Sequence, residues 1–85
     1  MTYRVLVTAR AERELGSVPP PWRARVRAAL MALGATPRPP GCVKLVGHDD
    51  VWRVRVGPYR IIYAIDDRRR IVVVTSVGHR RDVYR

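Results

Sequence analysis

Hydrophobic positions alternate with period two from Val51 to Ile65 (VWRVRVGPYRIIYAI), and that alternation predicts a β-hairpin. Trp52, Val54 and Val56 fall on one face, and Arg53 and Arg55 on the other. Beyond Gly57-Pro58, Tyr59, Ile61, Tyr63 and Ile65 share a face, with Arg60 opposite. A two-residue link sets Val56 against Tyr59, Arg55 against Arg60, Val54 against Ile61 and Trp52 against Tyr63. One side of the hairpin is then a continuous aliphatic and aromatic surface. The other is a cluster of three guanidiniums.

The same reading assigns the rest of the chain. Tyr3–Val7 is a short strand, with Tyr3, Val5 and Val7 on one face. Thr8 can cap a helix over Ala9–Leu15, which Gly16-Ser17 ends. Pro19-Pro20-Pro21 is a stiff link whose last proline suits the first turn of a second helix. In that helix Trp22, Val26, Ala29, Leu30 and Leu33 recur at helical spacing, and Gly34 is a left-handed stop signal. Thr36–Gly41 (TPRPPG) is rigid loop, because proline donates no ladder hydrogen bond. Cys42–Val46 reads as a strand, Gly47–Asp50 and Asp66–Arg70 as polar turns. Ile71–Val77 is apolar on both faces over its first half, as an interior strand is, and Gly78 ends it. The order strand, helix, helix, four strands predicts an α+β fold: an N-terminal strand, a two-helix hairpin, then a four-strand antiparallel run, with the helices on one face of the sheet.

Eighty-five residues, 47% of them hydrophobic, bound this to one domain, residues 1–85, with a modest core. No apolar run is long enough to span a membrane, and MTYRVLVTARAE has no signal-peptide pattern, so a cytoplasmic location is expected. A lone cysteine, Cys42, excludes an internal disulfide, and two histidines without clustered ligands argue against a metal site. The net charge is +10, and Lys44 is the single lysine among 17 basic residues. Such a balance predicts salt-sensitive binding to nucleic acid or to an acidic protein.

Charge placement sharpens that expectation. Like charges directly opposite on a sheet destabilise it. Arg53, Arg55 and Arg60 on one face therefore suggest an anion that neutralises them, and phosphate suits guanidinium geometry. Just past the last strand, GHRRDVY adds Arg80, Arg81 and Tyr84. A tyrosine between arginines can stack on a base while the arginines hold phosphate.

Two stretches, WRVRVGPYRIIYAID and IVVVTSVGHRRDVY, together with Lys44-Leu45 and the helical hairpin, resemble the RelE toxins of bacterial toxin–antitoxin pairs, within the RelE/ParE superfamily. The likeness spans essentially the whole chain, specific in its second half and generic in its first. It implies a ribosome-dependent endoribonuclease that cleaves messenger RNA in the A site by attack of a ribose 2′-hydroxyl on the adjacent phosphate, with no metal or other cofactor. Position by position, it implies that Arg53 and Arg55 stand where the best-known members carry lysines on the third strand. Arg60 matches the arginine of a Tyr-Arg pair, Arg80 the basic residue two positions after a Val-Gly pair, and Tyr84 a C-terminal tyrosine that stacks on the base. Those five form the expected catalytic set, with Lys44, Arg81 and Arg85 as further RNA-binding residues.

Arginine is a poor proton acceptor, since its pKa lies above about 12. That leaves His79 as the possible general base, with Asp82 the other nearby candidate. The partners implied are a cognate RelB-like antitoxin with an acidic or amphipathic segment that wraps the toxin, the ribosome and mRNA. No membrane is implied, and direct DNA binding is expected of the antitoxin rather than of this chain. The alternative within the superfamily is a ParE-like, non-enzymatic inhibitor of DNA gyrase with the same fold. The basic set and Tyr84 favour the ribonuclease.

Overall fold

The computed structural model describes residues 2–79. Seven elements follow in order: β1 (Arg4–Val7), α1 (Ala9–Gly16), α2 (Pro20–Ala32), β2 (Val43–Lys44), β3 (Val51–Val56), β4 (Tyr59–Asp66) and β5 (Ile71–His79). The strands form one sheet in the order β1-β5-β4-β3-β2. All neighbours are antiparallel except β1 and β5, which run parallel with Val5 opposite Val72 and Val7 opposite Val74. The architecture is α+β, with both helices packed on one face of the sheet, as the chain's patterning predicts.

The helix starts follow from local chemistry. The Thr8 hydroxyl accepts from the Ala11 N–H at 3.1 Å, the side-chain cap of α1. The second helix begins at Pro20, with Pro21 in its first turn as expected and Pro19 in the capping position. Proline suits that first turn because the N–H it lacks would have no helical partner. Ala11, Leu15, Val26 and Leu30 from the helices meet Ile61, Tyr63, Ile65, Val72, Val74 and Val77 from the sheet, all buried.

Between β3 and β4 the register is Trp52 to Tyr63, Val54 to Ile61, Arg55 to Arg60 and Val56 to Tyr59, as the alternation dictates. Gly57 takes φ +58° while Pro58 is confined to negative φ, the combination of a type II′ turn. Glycine is needed there for a second reason: a methyl group on Gly57 would run into the ring of Trp22.

Three details depart from expectation. Gly34 is not the left-handed stop of α2. It lies against β1, where an added Cβ would come within 2.9 Å of the Tyr3 carbonyl oxygen, and its own carbonyl accepts from the Tyr3 N–H at 2.6 Å. Strand β2 covers only Val43–Lys44 of the expected Cys42–Val46. The turns on either side of it carry Gly41 at φ +88° and Gly47 at φ +83°. Strand β5 runs past Gly78 to His79 and carries a bulge: Tyr63 faces Val74 while Ile62 faces Ser76, leaving Thr75 as the extra residue.

Candidate functional site

Strand alternation puts Arg53, Arg55 and Arg60 on the sheet face that the helices leave uncovered. The two-residue turn closes on the Val56–Tyr59 pair, so Arg55–Arg60 is the next pair out, the kind without its own ladder bonds and with closer side chains. Their Cβ atoms are therefore about 4.5–5.5 Å apart, and Arg53 sits on the diagonal to Arg60. Arg55 is exposed, and Arg53 and Arg60 are half-buried. On its other side Arg60 faces Gly78 of β5, which places no side chain beside it.

The three arginines line a hollow of about 340 Å³ together with Val54, Val43 of β2, and Pro40 and Gly41 of the loop after α2. Three cations converge on one concave surface whose other walls, among the described residues, are apolar or backbone. That arrangement is suited to an anion with several oxygens, which bidentate guanidiniums can grip from more than one side.

The wall of this hollow is pinned from behind. Arg38 donates two hydrogen bonds to Asp67, at 3.1 and 2.8 Å, and stacks over the Trp52 ring at 5.1 Å. Tyr3 donates to the same carboxylate at 2.6 Å. The Arg38 and Tyr3 hydrogen bonds hold the Asp67 carboxyl down at about 2. In return the Asp67 hydrogen bond raises the pKa values of Arg38 and Tyr3. One residue before Arg38, the Pro37 carbonyl accepts from the Tyr63 hydroxyl at 2.8 Å. Burial pushes the Tyr63 phenol upward, so it remains a donor. The sequence marks the TPRPPG loop as rigid without revealing this pin, which joins residues far apart in the chain.

The other expected site residues fall elsewhere. His79 is directly opposite Tyr59, with the two rings edge to face at 5.8 Å, on the side of the sheet where Tyr59 also meets Trp22 of α2. It lines a separate hollow with Glu14, Ser17 and Val18. The Thr75 bulge is the cause. Without it, His79 would share the face of Val73 and the arginines; with it, the alternation slips by one and His79 turns toward the helices. His79, the possible base, therefore stands on the helix side of the sheet and not with Arg53, Arg55 and Arg60. Lys44, expected to bind RNA, pairs with Trp52 and so belongs to the opposite face; its neighbour Val43 lines the hollow. Arg80, Arg81, Tyr84 and Arg85, and with them Asp82, lie outside the described residues. Among the described residues no group of three or more His, Cys, Asp or Glu could hold a metal ion. None of their helices is long and apolar enough to cross a membrane.

Residues 5–84 match a family described as the ParE toxin of the type II toxin–antitoxin system parDE. The chain belongs to this family of toxins. It is 38% identical over 93 residues to Toxin RelG of Mycobacterium tuberculosis (strain ATCC 25618 / H37Rv), covering 100% of this chain and 99% of the relative. Among solved structures it is similar to the toxin–antitoxin complex RelBE2 from Mycobacterium tuberculosis, with TM-score 0.81 and 31% identity over 94% of this chain and 100% of that one. It is also similar to the archaeal RelE–RelB complex from Pyrococcus horikoshii OT3, with TM-score 0.83 and 27% identity over 98% of this chain and 100% of that one. Within the family the chain is thus a RelE-like toxin of a type II toxin–antitoxin system.

Proposed function

We propose that this toxin is a ribosome-dependent mRNA endonuclease whose arginine face holds the scissile phosphate. The observation that carries the reading is the convergence of Arg53, Arg55 and Arg60 on one hollow of the uncovered sheet face. In the proposed reaction a ribose 2′-oxygen attacks the adjacent phosphorus and the bond from phosphorus to the 5′-oxygen breaks. The 2′-hydroxyl loses its proton and the departing 5′-oxygen gains one. The products are a 2′,3′-cyclic phosphate and a 5′-hydroxyl. Negative charge builds on the non-bridging oxygens in the transition state, and fixed guanidiniums aimed at them stabilise it more than the ground state. Arg80 and Tyr84 complete the set in this reading, Arg80 as a further phosphate contact and Tyr84 as a stacking platform that orients the nucleotide. The chemistry calls on no metal ion or other cofactor.

The proposed partner is a cognate antitoxin, as in the RelE–RelB complex and the RelBE2 toxin–antitoxin complex it resembles. A chain of net charge +10 with three clustered arginines would be neutralised by an acidic or amphipathic segment laid across that face.

The test is expression without antitoxin. Translation should stop and mRNA should be cut within codons on ribosomes. Arg53→Ala and Arg60→Ala, and likewise Arg80→Ala and Tyr84→Ala, should relieve toxicity with the fold intact. Losing one such donor costs about 10²–10³-fold in rate. Arrest with uncut mRNA and gyrase-linked DNA breaks would overturn the reading in favour of a gyrase inhibitor.

A further inference from the structure

A second hollow, of about 310 Å³, adjoins the first. It lies between the end of α2 and β3, walled by Ala29, Ala32 and Leu33 on one side and Val54 and Val56 on the other. It exists for two reasons. The two alanines leave α2 thin where it passes β3. In addition, β2 pairs with β3 only as far as Arg53, so the outer edge of β3 beyond that point is bridged by the loop carrying Pro39 and Pro40 rather than by a strand. Pro40, Val54 and Arg55 border both hollows. The two are thus neighbouring compartments, one cationic and one apolar, on either side of the same strand edge.

We propose that the apolar compartment is a nucleobase subsite, which receives the base attached to a nucleotide whose phosphate sits among the arginines. The inference rests on RNA phosphate occupying the arginine hollow. A nucleotide has the same division of character: an anionic phosphate and, one sugar away, a flat ring with apolar faces. The shared rim at Arg55 puts the charge on one side and the aliphatic walls on the other. Proline rings and Val and Ala methyls offer a surface for a base face with few groups to read its edge; among the described lining side chains Thr36 supplies the one hydroxyl. The subsite therefore tightens binding for any base and discriminates weakly between them, as stacking-type contacts do.

The test uses the full chain and two synthetic probes: a fluorescent RNA trinucleotide, and the same ribose-phosphate backbone with every base replaced by an abasic sugar. Ala32 is exposed at the end of α2, so leucine there fills the groove without straining the helix. Ala32→Leu should weaken the trinucleotide about tenfold and leave the abasic backbone unchanged. Ala32→Met should do the same, and serves if the leucine variant melts early. Equal binding of the trinucleotide by Ala32→Leu, Ala32→Met and the parent chain would overturn the subsite. So would a variant that spares both probes and weakens only an acidic antitoxin peptide, which would make the groove a peptide site. Arg53→Ala and Arg60→Ala separate the two claims. If they weaken both probes while Ala32→Leu weakens neither, the phosphate reading stands and the base subsite falls. If they weaken neither, the phosphate reading itself falls and takes the subsite with it.

Discussion

Gly57 does two jobs with one missing methyl group. Its φ of +58° opens the turn that fixes the hairpin register, and its bare Cα lets the Trp22 ring lie on the turn. Gly57→Ala should cost about 1–3 kcal/mol from backbone strain alone, before the clash with the indole is counted. Thermal unfolding checks this: a drop of roughly 4–8 °C per kcal/mol is expected for a chain of this size. Asp67 provides a test of the loop pin through pH. Its folded pKa, near 2, lies below the unfolded value of about 3.9. Its contribution is therefore complete above the unfolded value and is lost as pH falls through the folded one. Asp67→Asn should melt below the parent chain at pH 7, and the gap should close between about pH 4 and pH 2. A gap that persists at pH 2 would mean that Asp67 acts by something other than its charge.

Elements show where period-two reading works and where it stops. The β3–β4 hairpin was legible residue by residue because an apolar face, a polar face and a two-residue link all require one register. The arginine cluster came with it. The position of β1 did not: nothing in YRVLV says which strand it joins, and its parallel pairing with β5 depends on both helices crossing the sheet first. The bulge in β5 was the costliest omission, since it decides which face receives His79. A trace of it is in the sequence, in the apolar spacing Val72, Val74, Val77, where an unbroken strand would have put an apolar residue at 76.

What holds the bulged half of β5 is equally non-local. Strand β1 leaves the sheet at Thr8, whose N–H makes the last backbone bond, to the Val74 carbonyl, and whose hydroxyl donates to the Thr75 carbonyl at 3.4 Å, so beyond Thr75 the β5 edge has lost its strand neighbour. Glu14 of α1 replaces it, one carboxylate oxygen accepting from the Ser76 hydroxyl and the Val77 N–H, both at 3.0 Å. Glu14→Ala should cost about 1–3 kcal/mol by leaving that N–H without its acceptor, with the loss measured in denaturant unfolding. Glu14→Gln, which keeps a carbonyl oxygen, should recover part of it. Equal stability of all three chains would show that water serves the edge as well as the carboxylate does.

Viewed whole, the molecule packs its core on one face of the sheet, and the proposed function uses the other. The helices cover one side of the sheet and make the core, and the other side gathers Arg53, Arg55 and Arg60. Arg55 opposite Arg60 adds nothing to the core, and the proposed RNA cleavage would use the two together. The direct measurement is the structure of the ends left on mRNA after the toxin is expressed without antitoxin. Cleavage by the proposed route leaves 5′-hydroxyl ends facing 2′,3′-cyclic phosphates, which disappear in Arg53→Ala and Arg60→Ala chains that remain folded. Intact mRNA in arrested cells, or 5′-phosphate ends that persist in the arginine variants, would contradict it.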